Sequence, residues 1–303
     1  MQNTVKHTLL QKVMHFFLTK MVVGIGVIVS LVALIEWLRS FLLDKTNLPG
    51  DLKELIVAVA EACIATAGYI FLFKTYDKRQ IHELSAAKFA NNLVIGFPLG
   101  IILQALVIFV IFLGGTFLVA NVNPVSSLIS PFAFAMTAGF VAEIILIGIV
   151  FRLLEQQTGT VIALIIFIVL FAILHVNAKG ATLVSVGATA MQAGFMLPAA
   201  YVLSRNLWLP IFMHFGWDLA EPGIFGGINP SSSLTQGLLT SHIAGNSLIT
   251  GGENGPQDSL TSLLLCLCTG IIFFVLAKRS NHLIKPNWQA TAGNKGIGKS
   301  AAL

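Results

Sequence analysis

The sequence predicts an all-α protein, a polytopic transmembrane helix bundle of about eight spans. Three observations carry this. Hydrophobic residues make up 56% of the 303 and charged residues only 10%, where a soluble domain carries about 25% charged residues. Apolar runs of the length that crosses a bilayer, about 20 residues, recur along the chain. These runs are continuous rather than alternating, which argues against a transmembrane β-barrel.

The first span is expected from Met21 to Leu43, an apolar run that ends on Glu36, Trp37 and Arg39, residues suited to the interface. The second runs from Leu55 to Phe73 with Glu61 about two turns in. A charged stretch, "YDKRQIHELSAAKFANN", precedes the third and reads as an interfacial helix. The third span is Leu93 to Leu113, the fourth Ser126 to Arg152, the fifth Thr160 to Val176 and the sixth Ala181 to Leu203. The seventh, Leu207 to Ala220, is too short to cross alone, so it is expected to start deep or to tilt. A segment from Gly223 to Ser259, rich in Gly, Ser and Asn and free of Lys and Arg, reads as a long loop. The eighth span is Leu260 to Ala277, and the tail "QATAGNKGIGKSAAL" reads as flexible. This gives an N-terminal segment (1–20), one transmembrane domain (21–280) and a tail (281–303).

Charge sets the expected orientation. Of the 18 Lys and Arg residues, only Arg39, Lys45, Lys53 and Lys179 fall on one side of this alternation. The other side gathers the rest, so both termini are expected in the cytoplasm of a bacterial cell membrane. The same placement explains the net charge of +5 without nucleic acid, because no basic patch with interleaved aromatics exists. Cys63, Cys266 and Cys268 lie in apolar runs without disulfide or metal spacing. No cleavable signal peptide is expected at the N-terminus.

Ionisable residues inside such runs are costly, about 2.5–3.5 kcal/mol each at a helix centre on insertion scales, and mark function. Glu36 and Glu61 are placed to reach an interface or a partner, and Glu221 lies at a span edge. Glu143, His175, His214 and Asp218 differ, because they fall in consecutive spans with little nearby charge. His214 and Asp218 are spaced i, i+4 and share a helix face, as do Phe171 and His175. The four are expected to meet in one polar pocket.

A carboxylate beside a neutral imidazole can deprotonate a water. A second histidine with a carboxyl one turn away can stabilise an oxyanion, provided Asp218 is protonated, or Asp218 can orient His214 by accepting its N–H. Such parts suffice to hydrolyse a peptide bond. Two histidines with carboxylates could also hold a divalent metal such as zinc, although no His-Glu-x-x-His occurs.

The order and spacing resemble the CAAX prenyl protease and bacteriocin-processing family of intramembrane peptidases (Abi, CPBP). Its Phe-x-x-x-His motif stands here as "FAILH", Phe171 to His175, and its His-x-x-x-Asn/Asp motif as "HFGWD", His214 to Asp218. The flanks "GIVFRLLEQQTGT", "YVLSRNLWLPIFMHFGWDL" and "LITGGENGPQDS" agree, and the resemblance covers about Asp77 to Lys278. The Glu-Glu-x-x-x-Arg motif is degenerate. It reads "AEIILI", with Ala142 in place of the first glutamate, Glu143 matching the second, and Ile147 in place of the arginine. On an ideal α-helix Glu143 points about 100° away from the position of Ala142.

The resemblance implies an intramembrane endopeptidase acting on a membrane-associated peptide or protein. His175 and Glu143 would activate water, and His214 with Asp218 would stabilise the oxyanion. No cofactor is required by this scheme; a divalent metal is the alternative. Two other functions stay open. A catalytically impaired relative could serve as a membrane scaffold or a peptide-binding or immunity protein, as the Ala142 and Ile147 departures suggest. A proton-coupled transporter would predict internal duplication, and none is visible.

Overall fold

The computed structural model describes residues 16–226 and 237–287. Among the described residues, six helices are long and apolar enough to cross a membrane. They are α1 (Phe17–Leu43), α2 (Gly50–Tyr76), α3 (Ala86–Leu113), α4 (Val125–Thr158), α6 (Leu183–Ser204) and α9 (Leu260–Arg279). α5 (Thr160–His175) and α7 (Trp208–Asp218, continuing as a wide π turn over Leu219–Ile224) are shorter. The eight apolar segments expected are therefore all helical, but two of them are too short to meet the length of a full span.

The short α7 is the best buried of all. Trp208 through Met213 and Phe215 through Trp217 are buried, against a mixture of buried and exposed residues on the longer helices. Its packing explains how a helix of eleven residues comes to lie in the middle of the bundle. On one side, Gly96 and Gly100 of α3 and Gly216 of α7 let the two backbones touch. A methyl group placed on Gly100 would meet the Met213 carbonyl oxygen at 2.0 Å. On the other side Gly139 of α4 lies against Ile211 and Phe215. Small residues at i, i+4 are how membrane helices approach closely without a solvent-driven hydrophobic effect. Phe97, Phe132 and Phe140 then close around Phe215.

Two expectations are corrected. The stretch from Asp77 to Ser85 is not an interfacial helix. It is an irregular turn tied to the bundle by Lys20–Asp77 (2.6 Å), Arg79–Glu83 (2.5 Å) and a bond from the Leu207 N–H to the Glu83 carbonyl (2.7 Å). These contacts give the polar residues partners at the helix ends, so no free amphipathic face is left to lie on a membrane. The segment after α7 is not all loop. It contributes β2 (Leu239–Ile243), which pairs antiparallel with β1 (Phe117–Val122), the connection between α3 and α4. The β-branched and apolar residues of "FLVANV" suit a strand, but six residues beside a long span gave no separate signal. The short helix α8 (Ser247–Thr250) comes next. The tail expected to be flexible lies outside the described residues beyond Asn287, as do residues 227–236 of the loop.

Candidate active site

The site is built around α4, α5 and α7. α4 is not a regular α-helix where Glu143 sits. Wide π turns occupy Ala138–Ala142 and Ile144–Phe151. Each i→i+5 turn takes up an extra residue and rotates the side chains beyond it about the helix axis, and such turns recur at functional sites. The Glu143 side chain, 2% exposed, reaches α7, with Oε1 2.7 Å from His214 Nδ1.

The other ring nitrogen, Nε2, lies 3.3 Å from Asp218 Oδ2, one turn further along α7. The imidazole thus bridges two carboxyls. As an imidazolium it donates to both; as a neutral ring it donates from one nitrogen and accepts at the other, and the second carboxyl must then carry the proton. In either state the three side chains share at least one labile proton. His214 and Asp218 are 16% and 15% exposed, so this half of the group is the accessible one.

Glu221 continues the polar row. It is buried, and it accepts hydrogen bonds from Gln104 Nε2 of α3 at 2.6 Å and from the Gln257 N–H at 3.2 Å. Next to Gln257, Asp258 accepts from Thr189 Oγ1 at 3.4 Å. Burial pushes the Asp258 carboxyl above its ordinary value of 3.8, opposed by hydrogen bonds from Asn254 and Thr189 and by the field of His175.

His175 forms the last residue of α5 and is half-buried. Its ring stacks on Phe171 with centroids 5.9 Å apart and planes 5° from parallel. Nδ1 lies 2.9 Å from the Phe171 carbonyl oxygen. A carbonyl only accepts, so Nδ1 carries the hydrogen and Nε2 of a neutral ring is left as a proton acceptor. The Phe-x-x-x-His spacing thus fixes both the plane and the tautomer of His175.

The four expected residues are brought together unequally. Glu143, His214 and Asp218 form one bonded group. Among the described residues no hydrogen bond joins His175 to Glu143; its field acts on Asp258. Sequence reading passed over Gln104, Asp258, Thr189 and Gln257. Gln104 offered a signal, since it is an amide in an otherwise apolar span. Glu61, also buried, is accounted for by a bond from Thr137 Oγ1 (2.8 Å), and Glu36 stays exposed beside Arg39. Ile147 is fully buried in the apolar core. Arg152, five residues on, binds the Gly148 carbonyl at 2.8 Å and lies over the Phe73 ring, away from Glu143.

Among the described residues no group of three or more His, Cys, Asp or Glu side chains is arranged to hold a metal ion. The bonding explains this. Both nitrogens of His214 are already engaged by carboxyls, which is the wrong arrangement for a ligand whose free nitrogen must face a cation.

Residues 124–220 match the family model for Type II CAAX prenyl endopeptidase Rce1-like. Over this stretch the chain is similar to that family. The matched stretch runs from just before α4 to the end of α7 and includes Glu143, His175, His214 and Asp218. It covers about a third of the chain and is narrower than the Asp77–Lys278 resemblance. Neither a curated protein nor a solved structure matches.

Proposed function

We propose that the protein hydrolyses a peptide bond in a membrane-associated peptide or protein, using Glu143, His175, His214 and Asp218. The Rce1-like match supports this at the level of the family. The observation that carries the reading further is the 2.7 Å contact between Glu143 and His214, continued by Asp218 at 3.3 Å. Ionisable groups joined in this way inside an apolar bundle are proton-handling machinery.

The geometry redistributes the roles. Glu143 is the sequestered carboxyl, and it orients and charge-balances His214. His214 with the more accessible Asp218 takes a proton from the attacking water. The water oxygen bonds to the carbonyl carbon as that proton enters the group. The same proton is returned to the departing nitrogen as the C–N bond breaks, leaving a carboxyl product and an amine. His175, with Nε2 open as an acceptor at the end of α5, is the candidate to receive a proton from water or substrate. The proposed location is a cell membrane, with both termini on the cytoplasmic side and lipid around the outer helices.

Purified protein assayed against a membrane-peptide library, beside Glu143→Gln, His214→Ala and His175→Ala, tests the reading. Each variant should lose activity by about 10²-fold or more, the usual contribution of acid–base catalysis. Activity unchanged in Glu143→Gln and His214→Ala refutes it.

A second reading is supported by Ile147, which leaves the core apolar at the position of the motif's arginine. On that reading the chain binds membrane peptides without cleaving them. Peptide binding by the wild type with no product formed would decide for it.

A further inference from the structure

The two ends of the bundle differ in charge. At one end lie the start of α1, the end of α2, the start of α3, the ends of α4 and α6, the starts of α5 and α7, and the end of α9. Cross-contacts hold these together. Lys20 meets Asp77, Arg205 meets Glu155 at 2.7 Å and also the His282 carbonyl, and the Thr160 N–H bonds the Ile284 carbonyl. Lys74, Lys78, Arg79, Lys88, Arg152, Lys278, Arg279 and Lys285 belong to the same end. The opposite end carries the β1–β2 pair and, among the described residues, only Arg39, Lys45, Lys53 and Lys179 as Lys or Arg.

The polar row rises toward that second end. Glu143 sits midway along α4 and is 2% exposed; His214 and Asp218 are 16% and 15% exposed. Glu221 lies on the outgoing turn of α7, and His175 closes the outgoing end of α5. Asp258 and Gln257 come from the turn immediately before α9, at that same end. Basic residues mark the cytoplasmic side of membrane helices.

We infer that the polar row of His214, Asp218 and Glu221 is reached from the face opposite the basic end, so that its substrate is a peptide segment presented on the non-cytoplasmic side of the membrane. This rests on the peptidase reading for the word substrate, but the access face itself does not. A prenylated C-terminus of a cytoplasmic protein has no route to a mouth on that face. A peptide being exported, or the outer flank of another membrane protein, does.

The test is chemical labelling of the full chain, expressed in a bacterial host with Cys63, Cys266 and Cys268 replaced by Ala. Single cysteines are introduced as Lys179→Cys and Glu253→Cys near the mouth, and as Lys88→Cys and Lys285→Cys at the basic end; all four positions are exposed. A membrane-impermeant maleimide is applied to intact spheroplasts and to lysed ones. The first pair should label equally in both, and the second pair only after lysis. The reverse pattern, or labelling of both pairs in intact spheroplasts, overturns the inference. The labelling reads access without cleavage, so a failed peptidase assay and a wrong access face are told apart.

Discussion

Replacing Gly100 by alanine should separate α3 from α7 and disable the site from a distance. The added Cβ would stand 2.0 Å from the Met213 carbonyl oxygen and 2.8 Å from the Trp217 nitrogen, where ordinary contact begins at 3.4 Å. Both obstacles are backbone, so no side-chain rotation relieves them. The helices must part by more than an ångström. Overpacking of this kind costs about 1–3 kcal/mol, occasionally more. His214 is the residue after Met213, and a shift of that size between α3 and α7 disturbs the alignment of its 2.7 Å contact with Glu143. A displacement of about 1 Å in a catalytic group can lower the rate by about 10²-fold. Gly26→Ala on α1 is the control, because nothing lies within 4 Å of its added methyl. Thermal unfolding in detergent gives the stability, and peptide cleavage gives the rate. If Gly100→Ala unfolds at the same temperature as Gly26→Ala, the backbone contact is not tight and the account of α7 fails.

Two further outcomes concern the basic end. Glu155 is 1% exposed and accepts from both Arg205 terminal nitrogens (2.7 and 3.0 Å) and from Thr160 (2.5 Å). Glu155→Gln should therefore lower stability toward the smaller end of the roughly 3–5 kcal/mol typical of a broken buried pair, because Arg205 is 24% exposed and can partly rehydrate; an unchanged unfolding temperature would contradict the pairing. At Glu83, burial works to raise the carboxyl, but the hydrogen bond and charge of Arg79 outweigh it and hold it below 4.5. A carboxyl depressed in the folded state stabilises fully above its unfolded value and loses that contribution as pH falls through the folded one. The unfolding temperature should thus decline below about pH 4.5 in the wild type, and Glu83→Gln should flatten that decline; identical pH profiles would rule the linkage out.

The family match took in the motifs that carried the resemblance, yet the partners within the site were not those that linear spacing suggested. Phe171/His175 and His214/Asp218 were legible because i, i+4 spacing in a helix fixes which side chains share a face. The degenerate motif was legible as a departure, but its consequence was not. Spacing did not show which helix Glu143 faces; α4 runs in wide turns on either side of it, and the fold joins it to His214. No local rule in "AGFVAEIILIGIVF" announces those turns, since a π turn gives up regular bonding for packing against neighbours that are distant in sequence.

What the sequence determined alone is the membrane class, the helical segments and the charge asymmetry between the two ends. Each arises from the transfer of residues between water and hydrocarbon, a property that sums along the chain and needs no neighbours. Tertiary structure decided the rest: that the short α7 is wedged between glycines of α3 and α4, that Glu143 bonds His214 while His175 does not join them, and that Gln104 holds Glu221. Those outcomes depend on backbone separations held to within a few tenths of an ångström between segments more than a hundred residues apart, and close packing, unlike hydropathy, is set by the partner as much as by the residue itself.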